Sequence, residues 1–170
     1  VTLDKCNATN TPSSSATATY YSTALSAITV PTRSYTISFT NNVSGASASS
    51  TSNINYTYTF DGWYTGSCSS PSTKLATSAA TPALQASVSG YTDSSARWTR
   101  TSGATVYAKW TSPGNKTLPT ITKTGHTCKW TDGTNTYNSG ANVSGITADL
   151  ALTSTCSANT YTVTLNNNGG

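Results

Sequence analysis

The feature that most limits the fold of this chain is a set of short segments in which large apolar residues alternate with hydroxyl residues. Tyr35, Ile37 and Phe39, for example, alternate with threonine and serine. A period of two places one face of an extended strand on a core and the other face in water. The same alternation occurs at residues 56–60 and 161–165. Val106, Ala108 and Trp110 form a further alternating run, and Leu150 and Leu152 begin another that ends at Cys156. We therefore expect a mainly β fold.

Residues that favour turns stand between these segments. Glycine adopts positive φ at little cost, and Asp-Gly is a common turn dipeptide. The predicted turns lie at Gly45, Asp61-Gly62, Gly90, Gly103, Asp132-Gly133, Gly140 and Gly145. Residues 73–88 leave two alternatives open. Leu75 and Leu84 could share one face of a short helix, whereas Pro82 and many hydroxyl residues favour an irregular crossover, so the fold has at most one short helix.

The composition explains why aromatic residues must contribute to the core. Serine and threonine make up 63 of the 170 residues, whereas Leu, Ile, Val and Phe together number only 22. So few aliphatic residues indicate disorder only when the net charge is also high, and here the formal charge is +4. Ten tyrosines and four tryptophans can replace the missing aliphatic area. We expect a folded chain with Trp63 and Trp110 in its core.

The ionisable residues exclude several classes of function. The chain has five aspartates, no glutamate and one histidine, His126, which we expect to be a half-buried strand residue. Asp61, Asp132 and Asp149 do not show the spacing of a calcium loop, and we predict no catalytic residue, metal or cofactor. The nine lysines and arginines form no run, which argues against nucleic acid as a partner.

The cysteines indicate an oxidising compartment. Four cysteines without Cys-x-x-Cys spacing favour two disulfides over a zinc site, and four cysteines allow three pairings. No stretch approaches the roughly 20 apolar residues of a membrane-spanning helix. No charged and then apolar leader precedes Val1, so any export signal or anchor is expected outside this segment. We predict an extracellular location with no membrane span here.

Internal repetition organises the chain. Val1-Thr2-Leu3-Asp4 is nearly restated by Val163-Thr164-Leu165-Asn166, which predicts that residues 161–170 start another copy. The blocks at residues 28–33, 60–66 and 106–111 have shorter counterparts at 117–127, 128–133 and 149–159. We expect two related modules joined in tandem, with a boundary near residues 112–114.

A known family shares the order of these blocks. Phe60-Asp61-Gly62-Trp63-Tyr64 precedes Val106-Tyr107-Ala108-Lys109-Trp110, and Tyr161-Thr162-Val163-Thr164-Leu165 leads into Asn168-Gly169-Gly170. Over about two thirds of the chain this order resembles the Listeria-Bacteroides repeat, the group that includes the internalin B repeat. The resemblance implies small β-grasp-like modules that are reiterated in long bacterial surface proteins as stalk or adhesive repeats. It implies no catalytic residues.

Departures from the family pattern define the expected modules. Residues 34–60 contain an inserted hairpin, so the first module is predicted at 1–112, the second at 113–160 and the next repeat at 161–170. In the second module Cys128 stands where Phe60 stands in the first, and Cys156 stands where Trp110 stands. The resemblance therefore implies a disulfide between Cys128 and Cys156, which leaves Cys6 to pair with Cys68.

Two functions from different classes follow from these observations. The first is a non-enzymatic extracellular repeat segment of a large bacterial surface protein, a stalk or spacer and also an adhesin. Its partners would be neighbouring repeats of the same chain and a glycan or protein of a host or cell surface. The alternative is a carbohydrate-binding module that uses exposed Trp and Tyr. Its candidate ligand contact is Trp98 between Arg97 and Arg100, in the segment least like the family.

Overall fold

The computed structural model describes residues 1–166 and 168–169, which form twelve strands and no helix. The mainly β fold is thus confirmed. The strands are β1 (Thr2–Asp4), β2 (Arg33–Thr40), β3 (Ser47–Ala48), β4 (Ile54–Gly66), β5 (Pro71–Ala76), β6 (Thr105–Thr111), β7 (Lys116–Thr117), β8 (Ile121–Thr122), β9 (His126–Thr131), β10 (Thr136–Asn138), β11 (Asn142–Val143) and β12 (Leu150–Ala158). No helix in this part of the chain is long and apolar enough to cross a membrane.

The chain forms two compact units. Unit 1 contains Val1–Tyr35 and Tyr56–Pro113, and unit 2 contains Thr36–Asn55 and Gly114–Gly170. This division differs from the predicted modules, which placed the whole segment 34–60 in the first one. The reason lies in packing and pairing: Ile37 and Phe39 belong to the core of unit 2, and β3 pairs with β8.

Strand β6 is the centre of the sheet in unit 1. On one side β1 pairs with it in parallel, with Leu3 opposite Val106. On the other side β4 pairs with it antiparallel, with Phe60 opposite Trp110. Strand β5 then pairs with β4 antiparallel. The segments Phe-Asp-Gly-Trp-Tyr and Val-Tyr-Ala-Lys-Trp are therefore partners, as the sequence predicts.

The predicted turn at Asp61-Gly62 is wrong, because both residues lie inside β4. The register between β4 and β6 shifts between Phe60 and Gly62, which marks a β-bulge. Gly62 has φ +133, and a Cβ built on it would lie 2.5 Å from the carbonyl oxygen of Ala76. Only glycine allows this close approach of β4 to β5.

The core of unit 1 is built around tryptophan. Trp63 has 0% of its surface exposed, which confirms its predicted place in the core, whereas Trp110 is half-buried at the edge of the core. Such rings supply large buried areas where aliphatic residues are few. The other buried residues of this core are Leu3, Cys6, Ala16, Leu25, Ile28, Leu75, Ala76, Leu84, Val88, Trp98, Val106 and Ala108.

Strand β12 is the centre of the sheet in unit 2. It pairs in parallel with β2, where Leu152 is opposite Phe39, and antiparallel with β9. Strand β10 continues this sheet beside β9, and β7 with β11 and β3 with β8 form two small pairs. The core contains Ile37, Phe39, Leu118, Ile121, Cys128, Trp130, Val143 and Leu152.

Two segments differ from the expected secondary structure. Residues 73–88 form no helix: β5 ends at Ala76 and an irregular crossover follows, in which Pro82 is buried and Leu84 forms an isolated bridge with Ala76. The crossover alternative is therefore the one observed. Residues 161–165 form no strand, and the exposed fractions of Val163 and Leu165 are 78% and 88%.

Candidate functional site

The four cysteines form two disulfides, and both predicted pairings are confirmed. Cys128 and Cys156 are directly paired residues of β9 and β12, with their Cα atoms 4.1 Å apart. Cys6 follows β1 and bonds to Cys68, which is 62 residues away in the sequence. Two disulfides are compatible with an extracellular location.

The predicted ligand contact at Trp98 is wrong, because the side chain belongs to the core of unit 1. Only 3% of Trp98 is exposed, and its Nε1 donates a hydrogen bond of 2.8 Å to the carbonyl oxygen of Arg100. The ring also meets Tyr91 edge to face, with 6.1 Å between centroids. An indole with so little exposed surface offers no face on which a sugar could stack.

Arg97 and Arg100 each stack on a tyrosine of unit 1. The guanidinium of Arg97 lies 4.8 Å from the ring centroid of Tyr21, and its Nε is 2.9 Å from Asp93. Hydrogen bonding from the backbone and side chain of Arg97 holds the pKa of Asp93 below its ordinary value. The guanidinium of Arg100 lies 5.0 Å from the ring centroid of Tyr91. Both arginines are thus held on their own unit.

Half-buried aromatic rings line a cavity on a different part of unit 1. We call this cavity of about 280 Å³ the aromatic groove. Phe60 and Trp110 are opposite each other on β4 and β6, with 5.4 Å between their ring centroids. Tyr58 is two residues before Phe60, so the alternation of β4 puts both rings on one face. The lining residues are Val30, Pro31, Thr32, Thr57, Tyr58, Phe60, Ser78 and Trp110.

The rim of the aromatic groove carries hydroxyl groups beside the rings. Thr32, Thr57 and Ser78 are exposed and line the groove. The Thr57 hydroxyl is 2.7 Å from the hydroxyl of Ser34, which holds it in place. A concave, mostly apolar surface with a few polar groups at its edge is the usual form of a small-molecule site.

Trp110 also lines a second cavity of unit 1, which we call the basic pocket. It too has a volume of about 280 Å³, and it contains two cationic side chains, Arg33 and Lys109. The indole Nε1 of Trp110 donates a hydrogen bond of 3.3 Å to the carbonyl oxygen of Lys5. The lining residues are Cys6, Asn7, Arg33, Cys68, Pro71, Ala108, Lys109 and Trp110. The aromatic groove and the basic pocket therefore share one wall.

Arg33 lines the basic pocket and also contacts a residue of the aromatic groove. Its guanidinium carbon lies 4.3 Å from the ring centroid of Tyr58, a residue of the aromatic groove. Its Nε donates a hydrogen bond of 3.3 Å to the hydroxyl of Tyr35. Among residues 1–166 and 168–169, no carboxylate lies within 4.0 Å of Arg33. The stacked guanidinium therefore forms no ion pair with a carboxylate of the described residues.

Lys109 is already engaged by a polar network at the bulge of β4. Its Nζ lies 3.6 Å from Asp61, which is also 3.2 Å from the Nζ of Lys74. The Tyr64 hydroxyl donates a 2.5 Å hydrogen bond to the same carboxylate. This bond lowers the pKa of Asp61, and the lysines lower it further, whereas burial and Asp61 raise the pKa of Tyr64 to about 12. Asp61 thus connects the bulge of β4 to lysine side chains of β5 and β6.

The other acidic residues and the histidine bind backbone groups of their own unit. Asp132 accepts hydrogen bonds from the backbone N–H groups of Asn135 and Thr134, which contribute to lowering its pKa to about 2. Asp149 accepts one from the backbone of Thr36 at 2.8 Å. His126 begins β9 and is half-buried, as predicted, with Nδ1 2.8 Å from the carbonyl oxygen of Thr124.

One group of metal-ligand types is close together among the described residues. The carboxylate of Asp4 and the sulfurs of Cys6 and Cys68 all lie within 4.8 Å of one another. Both sulfurs belong to the disulfide, and the carboxylate accepts a hydrogen bond of 3.0 Å from the backbone of Cys6. This group therefore offers no thiolate to a metal while the disulfide is intact.

Comparison of the chain with protein-family models, with curated proteins and with solved structures finds no match. Membership of the Listeria-Bacteroides repeat family, and the β-grasp-like character of the modules, therefore stay predictions. A proposal of function therefore depends on the fold and on the two cavities of unit 1.

The sequence did not identify four residues that line the aromatic groove or the basic pocket. Tyr58, Phe60 and Trp110 were assigned to repeat motifs or to the core, and Arg33 to a repeat block. A signal for Tyr58 and Phe60 was present in the alternation of β4, because both occupy the same set of alternate positions as Tyr56. The position of Arg33 over the Tyr58 ring needs the pairing of distant segments, which one sequence does not give.

Proposed function

We propose that this chain is a non-enzymatic, extracellular repeat segment of a bacterial cell-surface protein, where it acts as a stalk or spacer and also as an adhesin. The observation that carries this proposal is the repetition of β1. Leu3 in β1 is 2% exposed and its strand pairs with β6, whereas Leu165 in the matching sequence is 88% exposed and belongs to no strand. Residues 163–166 thus nearly repeat the sequence of a paired strand but belong to no strand themselves.

The disulfides support the same proposal. Each unit has one, and the loops that they close span 62 and 28 residues. A module that must keep its fold outside the cell benefits from such crosslinks, because they limit the freedom of the unfolded chain. Small units with few aliphatic residues need this contribution most.

A two-copy chain tests array formation directly. In this chain the Asn166 of the first copy is joined to Lys5 of a second copy, so that residues 163–166 replace residues 1–4. We expect the second copy to fold, to form its own Cys6–Cys68 disulfide and to melt at the temperature of the single chain. The control carries Val163→Asn and Leu165→Asn at the junction, and its second copy should not form that disulfide.

The opposite outcome would remove the basis of the proposal. If the second copy in the unmodified two-copy chain fails to fold, then residues 163–166 cannot serve as β1, and the repetition carries no structural meaning. Scattering measurements on chains of two, three and four copies add a test of the spacer role. The maximum dimension should grow by a constant increment with each copy, whereas a compact cluster would grow more slowly.

The aromatic groove favours a second candidate function, carbohydrate binding. Its three half-buried rings, Tyr58, Phe60 and Trp110, stand beside exposed hydroxyl groups in a cavity large enough for a sugar ring. A glycan array with the 170-residue chain tests this function. Related glycans that lose their signal in a Tyr58→Leu variant would support it, whereas an array without reproducible binding would leave the spacer role alone.

A further inference from the structure

Trp110 lines both cavities, and the residues around it restrict which kinds of ligand could bind there. The aromatic groove on one side presents rings and hydroxyls, and no charged residue lines it. The basic pocket on the other side presents Arg33 and Lys109, and no acidic residue lines it. A ligand that occupies both cavities would therefore contact apolar and hydroxyl groups in one and positive charge in the other.

Arg33 is the cation that is available to such a ligand. Lys109 already contacts Asp61 and lies 4.7 Å from the ring centroid of Tyr64. Arg33, in contrast, has no carboxylate within 4.0 Å in the described part of the chain. Because its Nε donates to the Tyr35 hydroxyl, the two Nη groups of this planar guanidinium are the donors that could form two parallel hydrogen bonds to one carboxylate.

We propose that these two cavities form one binding site for an acidic oligosaccharide, in which the carboxylate of a hexuronate residue binds Arg33 and the sugar ring stacks on Trp110. The neighbouring sugar residue then lies in the aromatic groove against Tyr58 and Phe60. This inference rests on the second candidate function and specifies its ligand. The formal charge of +4 and the shortage of acidic residues favour an anionic ligand over a neutral one.

A titration with matched ligands tests this proposal on the full 170-residue chain with both disulfides intact. The probe is a tetrasaccharide of galacturonic acid, and the comparison ligand is its methyl ester, which has the same rings without the charge. Binding is followed by proton–nitrogen spectra of the backbone and indole groups. We expect the acid to shift the Trp110 indole signal and to bind about ten-fold more tightly than the ester, because a charged hydrogen-bonded pair contributes on the order of 1.4 kcal/mol or more.

Variants of Arg33 and Arg100 test whether Arg33 is the positive charge that binds the carboxylate of the ligand. Arg33→Gln should weaken binding of the acid about ten-fold and leave binding of the ester unchanged. Arg33→Lys, which keeps the charge but not the planar fork, should give an intermediate affinity. Arg100→Gln is the control, because Arg100 also stacks on a tyrosine and also lacks a carboxylate partner among the described residues. The disulfide pairing and circular dichroism spectrum of each variant verify its fold.

Each other outcome overturns a different part of the proposal. Equal binding of acid and ester would overturn the role of Arg33 and leave carbohydrate binding in place. No binding of either ligand would overturn carbohydrate binding at this site. The spacer role would not be affected, because the experiment with the two-copy chain tests it separately. If a polyglutamate peptide binds as tightly as the tetrasaccharide, the site recognises charge alone and the sugar specificity is wrong.

Discussion

Cys128 and Cys156 face each other on neighbouring strands, and their disulfide joins two residues that are also directly paired in the sheet of unit 2. Strands β9 and β12 are therefore joined by the backbone hydrogen bonds of the sheet and, at this pair of residues, by a covalent bond. Cys128 is buried in the core of the unit, next to residues such as Trp130 on the same strand. The bridge closes a loop of 28 residues that contains β10 and β11.

Removal of this bridge should destabilise unit 2 strongly. A Cys128→Ser and Cys156→Ser double variant is expected to lose about 3.5 kcal/mol of unfolding free energy in the chain-entropy description. Removal of the Cys6–Cys68 bridge by the same substitutions should cost about 4 kcal/mol, because the closed loop is longer. Urea denaturation followed by circular dichroism measures both values. A loss below about 1 kcal/mol in either double variant would contradict the stabilising role of that bridge.

Trp63 and Trp130 form a natural matched pair. Both are 0% exposed, and each meets a phenylalanine edge to face with 5.2 Å between ring centroids, Phe60 in unit 1 and Phe39 in unit 2. The difference lies at the indole nitrogen. The Nε1 of Trp130 donates a 2.8 Å hydrogen bond to the carbonyl oxygen of Pro119, whereas that of Trp63 has no hydrogen-bond partner among the described residues.

This difference predicts unequal costs for the same substitution. Trp130→Phe loses a hydrogen bond as well as packing, so it should reduce stability by about 1 kcal/mol more than Trp63→Phe does. Trp63→Phe removes a buried N–H group without a protein acceptor, which offsets part of its packing loss. Chemical denaturation of the two variants checks the order. A larger loss for Trp63→Phe would mean that its Nε1 has a favourable interaction after all.

The strands of this chain are predictable where alternation is strict. Residues 35–39 and 56–60 alternate apolar and hydroxyl residues, Val106, Ala108 and Trp110 form a further alternating run, and these segments lie in strands β2, β4 and β6. The pattern specifies which residues share a face of a strand, but it does not specify to which unit the strand belongs. The prediction placed residues 36–55 in the first module, whereas the structure places them in unit 2. The reason is that Ile37 and Phe39 pack with residues more than 70 positions away in the sequence, such as Leu118 and Leu152.

Other features could not be read from local chemistry. Asp-Gly is favoured both in turns and at bulges, so Asp61-Gly62 and Asp132-Gly133 look alike in the sequence although only the second connects two strands as a turn. Trp98 stands between two arginines, which suggested exposure. Its ring is nevertheless buried because the arginines extend over Tyr21 and Tyr91 while the indole points into the core.

The bulge at Gly62 predicts a large cost for a small substitution. In Gly62→Ala the new Cβ would lie 2.5 Å from the backbone oxygen of Ala76, and the φ of +133 is unfavourable for alanine. We expect a loss of about 3 kcal/mol or more of unfolding free energy. Gly90→Ala is the control in the same unit, since Gly90 has φ +75 and no atom within 4 Å of the new Cβ. It should cost about 1 kcal/mol, and similar losses for both variants would contradict the packing argument.

The ionisation of Asp61 and Tyr64 should make the stability of unit 1 depend on pH, in the acidic range for Asp61 and in the alkaline range for Tyr64. The pKa of Asp61 is lowered from 3.8, chiefly by the hydrogen bond from Tyr64, so the stability that its charge contributes is present above pH 3.8 and is lost as the pH falls through the lowered value. The pKa of Tyr64 is raised from 10.0 to about 12 by burial and by the same hydrogen bond. The stability that protonated Tyr64 contributes is therefore fully present below pH 10.0 and is lost as the pH rises through about 12.

The alkaline range gives the clearer test. As the pH rises from 10.0 to about 12, the unfolded chain loses the phenolic proton of Tyr64 while the folded chain retains it, so unfolding should become progressively easier. Tyr64→Phe should be less stable than the wild type at neutral pH but should lose less stability over this range. Asp61→Asn should reduce the alkaline loss as well, because the carboxylate that opposes ionisation of the phenol is gone. Urea denaturation at pH 8, 10 and 11 measures the slopes, and equal slopes for the wild type and Tyr64→Phe would show that the hydrogen bond between Tyr64 and Asp61 does not control them.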